Sequence, residues 1–515
     1  MELDRDACYR ALLTRDARFD GRFFSAVKTT GIFCRPICPA RVPKRANLTF
    51  FATAAEALGA GYRPCLRCRP EASPDLAFWR GTSNSVSRAL RLISEGALDE
   101  DGVDGLAARL GLGERHLRRL FQRHLGVSPI DVAQTRRLLF AKKLITETAM
   151  PLAEVALAAG FGSVRRFNAE IRRTYARAPR ELRRSHGETG GGTAMRLSLP
   201  YSPPYDWPML LAFLGARAIP GVESVADGAY RRTIAIDGAH GTVEVRPAAD
   251  GSPRLMACIR FPKVTALPTI VGRLRRVFDL GADPAAIAAD LSKDPILAPL
   301  LAARPGLRVP GAWDGFELAV RAILGQQVTV VAATKLAGKL VALYGERLQQ
   351  EEGAGADEDL SLVFPRPERI ADIDLARTLG MPRARGVALS SLARAAASDA
   401  RLFHPLQSLE EAVLRLRQLP GIGEWTAHYI AMRALHEPDA FPTGDIGLLR
   451  AMATPEGRPS PAELLAAAEA WRPWRAYATL HLWMADAAAE AKTEKKDGAQ
   501  DRSTGFADRH DPARL

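Results

Sequence analysis

The chain has 515 residues, 47% of them hydrophobic and 25% charged, which predicts several soluble globular domains and excludes a single core. It contains no apolar run long enough to cross a bilayer and begins without the basic and apolar regions of a secretion signal. We therefore expect a cytoplasmic protein, in which cysteines stay reduced and paired cysteines indicate metal binding.

The net charge of +13 is confined to the amino-terminal third of the chain. Residues 1–190 hold 33 Lys and Arg against 20 Asp and Glu, whereas the remaining residues hold 38 of each. A basic region of this kind is typical of a surface that binds phosphate backbones. The charge distribution therefore predicts that the first part of the chain binds DNA.

Four cysteines near the amino terminus form a Cys-x3-Cys pair and a Cys-x2-Cys pair, with 26 residues between the pairs. Two close pairs joined by a foldable span have the spacing of a tetrahedral zinc site. The predicted ligands are Cys34, Cys38, Cys65 and Cys68. Spacing alone favours a structural zinc knuckle, but flanking arginines predict an electropositive surface that meets DNA. These arginines include Arg41, Arg63 and Arg67.

Residues 83–185 carry short apolar stripes separated by Gly and Pro, a pattern typical of helices. A helix, a glycine turn and a basic second helix occur twice, first around Gly111 and again around Gly160. A basic helix after such a turn is the layout of a major-groove reader, although a single copy is as often a solvated face. The outward residues predicted to bind DNA include Arg118, Arg165 and Arg166.

The paired helix-turn-helix, with Phe161-Gly162-Ser163 and the closing Ala178-Pro179-Arg180-Glu181-Leu182-Arg183, resembles the AraC-family DNA-binding domain. With the cysteine module in front, residues 1–185 resemble the amino-terminal half of Ada-type methylation-response regulators. The resemblance implies that Cys34, one of four zinc ligands, accepts a methyl group from methylphosphotriesters in DNA. The Pro-Cys-His-Arg-Val motif of the other Ada transferase half is absent, so O6-methylguanine repair is not implied.

Zinc gives this resemblance a chemical basis. A zinc-bound thiolate stays deprotonated near neutral pH and can attack an electrophilic methyl carbon. Four thiolates leave the zinc site with a net negative charge, which one methylation reduces by one unit. We expect the weaker repulsion to raise the affinity for DNA and to turn on transcription.

The second half of the chain begins after a glycine-rich segment that buries little. Strand-like segments come first and helices then dominate, before a charged end that predicts disorder. The predicted fold class is multidomain and mostly α with α+β parts. Its predicted units are a small zinc module at 1–78, a tandem helix-turn-helix domain at 83–185, a linker at 186–194, an α+β domain at 195–282, an all-α helix-hairpin-helix domain at 283–489 and a disordered tail at 490–515.

The segment Leu419-Pro420-Gly421-Ile422-Gly423-Glu424-Trp425-Thr426-Ala427 is a helix-hairpin-helix signature. Its glycines let backbone N–H groups at a helix start approach a DNA phosphate without base contact. The residues predicted to bind DNA here are Gly421, Gly423 and Thr426. Many proteins with such a hairpin are not enzymes. About twenty residues later stands Asp445, either a helix cap or a catalytic carboxylate.

The hairpin with its downstream aspartate resembles the helix-hairpin-helix glycosylase superfamily, and residues 195–490 resemble DNA-3-methyladenine glycosylase II of the AlkA type. Further similar stretches are Pro204-Tyr205-Asp206-Trp207 and Trp471-Arg472-Pro473-Trp474-Arg475-Ala476-Tyr477. The resemblance implies that Asp445 stabilises an oxocarbenium-like sugar. It also implies a pocket for a cationic alkylated purine, lined by Trp425, Tyr429 and Trp483.

Several positions refine this resemblance. Superfamily members that also cut the backbone carry a lysine where this chain has Trp425, so a monofunctional glycosylase is implied. No cysteine follows Cys258, which excludes the iron–sulfur cluster of the endonuclease type. Gln327 stands where the wedge residue is typically leucine, and we expect it to fill the gap left by a flipped base. A monovalent cation is expected at the hairpin carbonyls of Arg417, Leu419 and Ile422.

The sequence therefore predicts a fused alkylation sensor, transcription regulator and base-excision glycosylase that contains Zn²⁺. The expected partners are alkylated and promoter double-stranded DNA and RNA polymerase, with a monomeric chain and no membrane. One alternative is a regulator whose glycosylase half only binds DNA. Another is a glycosylase anchored to DNA by an amino-terminal half with purely structural zinc. Release of 3-methyladenine tests the first alternative, and a methyl group on Cys34 tests the second.

Overall fold

The chain folds into the predicted series of units: a cysteine module, a helix-turn-helix region, an α+β unit and an all-α unit. The computed structural model describes residues 3–74, 84–94, 96–100, 102–183, 194–348, 359–404, 408–455 and 457–504. The predicted linker lies outside these ranges up to residue 193. Within them, every helix is too short or too polar to span a membrane.

The cysteine module is a small mixed sheet with short helices. Its elements are α1 (Arg5–Thr14), β1 (Phe24–Val27), β2 (Ile32–Cys34), β3 (Leu48–Phe51), α2 (Ala54–Gly59) and β4 (Arg63–Pro64). The strand order is β3-β1-β2-β4, and β2 runs parallel to β4. Phe33 pairs with Pro64 in that ladder. The next residues along the two strands, Cys34 and Cys65, therefore leave the sheet at the same end.

The helix-turn-helix region consists of short helices around one long connecting helix, α7. Its elements are α3 (Asn84–Ser94), α4 (Ala97–Glu100), α5 (Gly102–Arg109), α6 (Glu114–Leu125), α7 (Pro129–Glu147), α8 (Leu152–Ala158), α9 (Val164–Tyr175) and α10 (Pro179–Leu182). Gly111 and Gly160 have φ of +63° and +82°, a conformation that favours glycine. Each glycine turns the chain into a second helix, whose inward Phe121 or Phe167 is fully buried.

The α+β unit is an antiparallel sheet of order β5-β9-β8-β7-β6. Its elements are β5 (Met195–Pro200), α11 (Trp207–Gly215), β6 (Glu223–Ala226), β7 (Ala229–Ile236), β8 (Ala239–Pro247), β9 (Arg254–Arg260) and α12 (Leu267–Val277). Leu210 of α11 and Leu274 of α12 share one core with Val243 and Ile259 of the sheet. The two helices therefore cover the apolar face of the sheet.

The all-α unit completes the chain and includes one small hairpin. Its elements are α13 (Pro284–Leu291), α14 (Leu297–Ala303), α15 (Gly315–Leu324), α16 (Val330–Tyr344), β10 (Glu346–Arg347), β11 (Leu362–Val363), α17 (Leu375–Leu379), α18 (Arg383–Ser398), α19 (Leu409–Arg417), α20 (Glu424–Arg433), α21 (Ile446–Ala451), α22 (Pro461–Ala468) and α23 (Arg475–Thr504).

The start of the predicted tail is corrected by the structure. Disorder was predicted over 490–515, but α23 continues to Thr504. The sequence there is rich in Ala, Glu and Lys, which are strong helix formers and favour the longer helix. Residues 505–515 lie outside the described part of the chain.

The units are joined by a buried polar network around Glu147, at the end of α7. Its carboxylate accepts hydrogen bonds from Arg69 of the cysteine module (Nη2–Oε1, 3.0 Å) and from Lys143 (Nζ–Oε1, 3.1 Å). It also accepts one from the backbone N–H of Ser198 in β5 (3.0 Å). Helix α7 thus links the cysteine module to the sheet of the α+β unit.

Candidate metal centre and catalytic pocket

The four cysteines converge at one end of the amino-terminal sheet. Their Sγ atoms all lie within 4.8 Å of one another. Cys34 ends β2 and Cys65 follows β4, while Cys38 and Cys68 lie in the turns that come after them. The structure therefore brings all four predicted ligands together.

The donor set fits zinc. A Zn–S bond of about 2.3 Å places the sulfurs of a tetrahedral site about 3.8 Å apart, which the observed separations allow. The backbone N–H of Arg35 donates to Sγ of Cys68 at 3.3 Å, a contact that favours a thiolate. The cysteines form no disulfide in the described chain. Zn²⁺ is therefore the cofactor that these residues would hold.

Only part of the cluster is open to a large partner. Cys38 and Cys68 are each 7% exposed, whereas Cys34 and Cys65 are half-buried. Arginines that sequence analysis assigned to DNA binding surround the cluster with their side chains in solvent. These exposed residues are Arg41, Arg63 and Arg67. A phosphate backbone can thus reach the open side of the cluster.

Two other flanking arginines face the protein instead. Arg35 donates from Nε to Oδ1 of Asp20 at 2.9 Å and from Nη1 to the carbonyl of Cys68 at 3.1 Å. Arg69 donates from Nε to Oε1 of Glu71 at 3.1 Å. These side chains hold the turn around Cys68, so the basic surface and the support of the cluster are separate sets of arginines.

The second helix of each helix-turn-helix copy presents its predicted arginines to solvent. Arg118 on α6 is exposed and donates from Nε to Oε1 of Glu114 at 2.8 Å. Arg165 and Arg166 are exposed at the start of α9, where Ser163 caps the helix by accepting from the N–H of Arg166 (3.2 Å). Both helices can therefore meet a DNA backbone.

A cavity of about 730 Å³ lies between the α+β unit and the all-α unit. Trp425 and Tyr429, one turn apart on α20, stack with ring centroids 5.2 Å apart at 10°. Trp483 of α23 lies 6.4 Å from Tyr429 at 50°. Together with Asp445, these residues line the same cavity. Aromatic faces around one void suit a flat, electron-poor ring.

Asp445 is fixed by the two tryptophans. Its Oδ2 accepts from Nε1 of Trp425 and its Oδ1 from Nε1 of Trp483, both at 2.9 Å. Oδ1 also accepts from the N–H of Leu448 at 3.0 Å, which makes Asp445 the N-cap of α21. The helix-cap interpretation is therefore correct, and the cap itself holds the carboxylate at the cavity wall. About four lone-pair sites on a carboxylate leave one for a substrate.

The cavity residues that the sequence did not predict include Phe213, Arg217 and Arg433. The guanidinium of Arg217 lies 3.8 Å from the ring centroid of Phe213, and Nη1 of Arg433 donates to the hydroxyl of Tyr429 at 2.6 Å. Burial would raise the pKa of Tyr429, but the charges of Arg433 and Arg217 outweigh it and lower that pKa. The available signal was the four-residue spacing between Phe213, on the apolar helix α11, and Arg217, which follows the end of that helix at Gly215.

The hairpin before α20 has a geometry that suits a phosphate. Gly421 has φ of +78°, and a Cβ atom there would lie 2.5 Å from Cβ of Ala388. The first bond within α20 runs from the N–H of Ala427 to the carbonyl of Gly423 (2.9 Å). The N–H groups before Ala427 therefore point out of the helix start, where an anion is favoured.

Thr426 and Gln327 lie in contrasting places. Thr426 is 3% exposed, and its hydroxyl accepts from Nε2 of Gln326 at 3.2 Å, so only its backbone N–H faces the helix start. Gln327 is exposed, with φ of +57°, in the turn between α15 and α16. The next residue, Val328, lines the aromatic cavity, which places Gln327 at its mouth.

A four-thiolate zinc centre, paired helix-turn-helix units and an aspartate in an aromatic cavity define a base-excision repair protein fused to a regulator. Family models match the chain in the same order. They are the metal binding domain of Ada over residues 7–71, a helix-turn-helix domain over 106–185, the AlkA N-terminal domain over 196–314 and the HhH-GPD superfamily base excision DNA repair protein over 320–476.

Known relatives agree with these matches. The probable bifunctional transcriptional activator/DNA repair enzyme AlkA of Mycobacterium tuberculosis is 43% identical over 489 residues, which cover 94% of this chain and 97% of that protein. DNA-3-methyladenine glycosylase 2 of Escherichia coli is 38% identical over 56% of this chain and 96% of its own length. AdaA of Bacillus subtilis is 30% identical over 35% of this chain and 84% of its own length. The chain belongs to the family of bifunctional AlkA-type transcriptional activators and DNA repair enzymes.

Proposed function

We propose that this chain senses DNA methylation through a zinc-bound cysteine, regulates transcription, and releases N-alkylated purines of the 3-methyladenine type as a DNA glycosylase. The geometry of Asp445 supports the proposed glycosylase activity. Its two oxygens are held by Trp425 and Trp483 at the wall of the aromatic cavity. A fixed carboxylate beside a slot for a flat cation is what hydrolysis of an N-glycosidic bond requires.

The reaction follows from the shape and charge of the cavity. An alkylated purine that is rotated out of the duplex stacks against the rings of Trp425, Tyr429 and Trp483. As the N-glycosidic bond breaks, its electron pair leaves with the base, and the positive charge that builds on the sugar is stabilised by Asp445. Water then adds to the anomeric carbon and leaves an abasic site.

We propose that the enzyme does not cut the DNA backbone itself. Cleavage by a glycosylase of this superfamily requires an amine that forms a Schiff base with the sugar. Trp425 occupies the position of that lysine, and the described residues that line the cavity include no lysine. Alkylated duplex treated with the enzyme should therefore stay intact until alkali cleaves its abasic sites.

Release of free base by the full-length chain tests the glycosylase. Duplex DNA treated with a methylating agent should yield 3-methyladenine, in amounts that exceed the amount of protein. Asp445→Asn prepared in parallel shows whether a contaminating glycosylase contributes. Bound DNA with no free base would support the alternative, a regulator whose second half only binds DNA, and would overturn the proposal.

For the cysteine module, we propose that Cys34 is the methyl acceptor. Its thiolate attacks the methyl carbon of a methylphosphotriester. The S–C bond forms as the C–O bond breaks, and the phosphate oxygen keeps the electron pair as a diester anion. Bound zinc keeps the thiolates deprotonated. Support comes from the half-buried position of Cys34, which Cys65 shares, whereas Cys38 and Cys68 are buried.

The remaining contacts belong to the same proposal. The chain acts as a cytoplasmic monomer that binds alkylated and promoter DNA and, as an activator, contacts RNA polymerase. Gln327 fills the gap left by the flipped base, and a monovalent cation binds the carbonyls of Arg417, Leu419 and Ile422.

The residues proposed to contact DNA are Arg41, Arg63, Arg67, Arg118, Arg165, Arg166, Gly421, Gly423 and the backbone of Thr426. The proposed domain boundaries are 1–78, 83–185, 195–282 and 283–489.

A further inference from the structure

The first helix of the helix-turn-helix region, α3, contacts the all-α unit of the glycosylase through a buried ion pair. Arg88 donates to Glu437 through two bonds, Nε–Oε1 at 3.0 Å and Nη2–Oε2 at 2.9 Å. The two side chains are 5% and 9% exposed. Arg91, one turn along α3, donates to the carbonyl of Leu435. A two-pronged guanidinium–carboxylate pair fixes orientation as well as distance.

Glu437 lies between the two parts of the catalytic pocket. Helix α20, which carries Trp425 and Tyr429, ends at Arg433, and a short segment, 438–444, leads from Glu437 to Asp445. The N–H of Glu437 donates back to the carbonyl of Ala431 in α20 at 3.0 Å. A displacement of Glu437 is therefore passed both to the helix that carries the pocket aromatics and to the segment that carries the carboxylate.

The other contacts of this turn show that it is a junction of several elements. His436 has φ of +56°, and its Nε2 lies 3.1 Å from Oδ1 of the fully buried Asp279 in the α+β unit. The carbonyl of Pro438 accepts from the N–H of Ala476 at 2.9 Å, at the start of the helix that carries Trp483. Helix α3 thus holds a turn that contacts α20 and α23, the two helices whose tryptophans donate to Asp445.

We propose that Arg88 is a positioning residue for base release. Through Glu437 it holds the turn in the conformation that places Asp445 between the indole N–H groups of Trp425 and Trp483. Without Arg88, a buried carboxylate is left without its partner, and the turn opens to hydrate it. This inference rests on the proposed glycosylase activity. It means that the rate of base release depends on the docked state of the DNA-binding region.

The test compares full-length variants in two assays. Single-turnover release of 3-methyladenine reports the chemical step, and the dissociation constant for duplex DNA with an abasic analogue reports binding. Arg88→Ala should slow release about ten-fold, because small misplacements of catalytic groups are costly, and should leave binding within two-fold. Arg88→Lys keeps the charge without the two-pronged geometry and should give an intermediate rate. Arg88→Ala/Glu437→Ala removes both members of the ion pair and should recover part of the loss.

Arg22→Ala is the matched control. It removes another arginine that links the amino-terminal third to the glycosylase, through Asp283, the N-cap of α13, and not through the turn. Its rate should equal that of the unchanged chain. Equal losses in Arg22→Ala and Arg88→Ala would mean general loosening of the interface and would overturn the proposal. A normal rate in a correctly folded Arg88→Ala protein would do the same. If Arg88→Ala fails to fold, Arg88→Lys takes its place. A rate of base release equal to that of the unchanged chain would then overturn the proposal.

Hydrogen exchange separates this inference from the glycosylase proposal. Backbone amides over 441–448 should exchange faster in Arg88→Ala than in the unchanged chain and in Arg22→Ala. An unchanged chain that releases no base would refute the glycosylase but not the positioning contact, which exchange would still report. Unchanged exchange together with an unchanged rate would refute the positioning role alone.

Discussion

The two chemical centres of this chain differ in what holds the reactive group. The cysteines lie at strand ends and in turns, two of them half-buried and two buried, and their four thiolates would be held together by Zn²⁺. The carboxylate of Asp445 is held by two indole N–H groups and a helix cap that the packed fold supplies. A bound zinc ion would hold the cysteine centre together, whereas packed side chains hold the carboxylate of Asp445.

This difference matches the two kinds of chemistry. A thiolate that accepts a methyl group is consumed, so its surroundings need to present it once and then transmit the change. A glycosylase carboxylate must return to the same position after each turnover, which requires side chains fixed before substrate arrives. The small apolar clusters of the cysteine module and the large core around the pocket fit these needs.

Removal of zinc should give the largest difference between the two centres. Structural zinc contributes about 10 kcal/mol or more to folding in small modules, so a chelator should unfold the cysteine module and abolish methyl acceptance. Base release should fall less than three-fold, because the pocket does not use the metal. Metal analysis, proteolysis of residues 3–74 and a base-release assay measure this. A chelated protein that still accepts methyl groups would contradict the account.

Replacing Asp445 should affect only the second centre. Asp445→Asn keeps the size and the cap but removes the charge, so single-turnover base release should fall about a thousand-fold, as for other electrostatic stabilisers of a transition state. Methyl acceptance should not change. Asp294→Asn is the matched control, because Asp294 accepts from Nε1 of Trp471 at 2.7 Å outside the pocket. Equal activity of the two variants would remove Asp445 from the mechanism.

The stability of the glycosylase half, residues 195–489, should also depend on pH in a defined way. Burial would raise the pKa of Glu317, but Arg232 and Arg321 outweigh it and lower that pKa to about 2. Because the folded value lies below the unfolded one, the ion pairs stabilise the fold above about pH 4.5 and lose their effect as the pH falls towards 2. The contribution at neutral pH is about 3 kcal/mol.

Unfolding by denaturant at pH 7 and pH 3 measures this response. Glu317→Gln should be less stable than the unchanged chain at pH 7, and the difference should shrink by about 2 kcal/mol at pH 3. Glu170→Gln, which removes an exposed ion pair with Arg173, should show no such change. A difference for Glu317→Gln that is constant with pH would contradict the assigned shift.

The smallest expected effect concerns one hydrogen bond to the carboxylate. Trp483→Phe keeps an aromatic face but removes the N–H that donates to Asp445, so base release should slow about ten-fold. Trp471→Phe removes a similar bond, to Asp294, and should leave the rate unchanged. Single-turnover rates distinguish the two. Equal rates for both variants would show that packing alone fixes Asp445.

The sequence predicted the ligands and the pocket for different reasons. Cys34, Cys38, Cys65 and Cys68 follow from local spacing, which two parallel strands convert into convergence. Asp445 and its three aromatic neighbours follow from a resemblance that spans nearly the whole second half. Both kinds of signal are present in the sequence itself, the first in local spacing and the second in extended similarity, so neither requires the fold.

The remaining features depend on distant contacts that no local pattern records. Arg88 and Glu437 are 349 positions apart, and each alone is an ordinary charged residue of a helix or a turn. Arg217 lies over the ring of Phe213, which in turn contacts Arg433, more than 200 positions later in the chain. The hydroxyl of Thr426 accepts from Gln326, a residue that follows α15 and lies 100 positions earlier in the chain. Such contacts require the structure.

We propose that one chain contains a cysteine centre that is consumed by a single methyl transfer and a catalytic pocket that releases base repeatedly. Incubation of the zinc-loaded, full-length chain with methylated duplex DNA, followed by peptide mass mapping and counting of free base in the same sample, tests it directly. We predict one methyl group per chain, on Cys34, at saturation, while released 3-methyladenine exceeds the number of chains. An unmethylated Cys34, or free base that never exceeds the number of chains, would contradict the account.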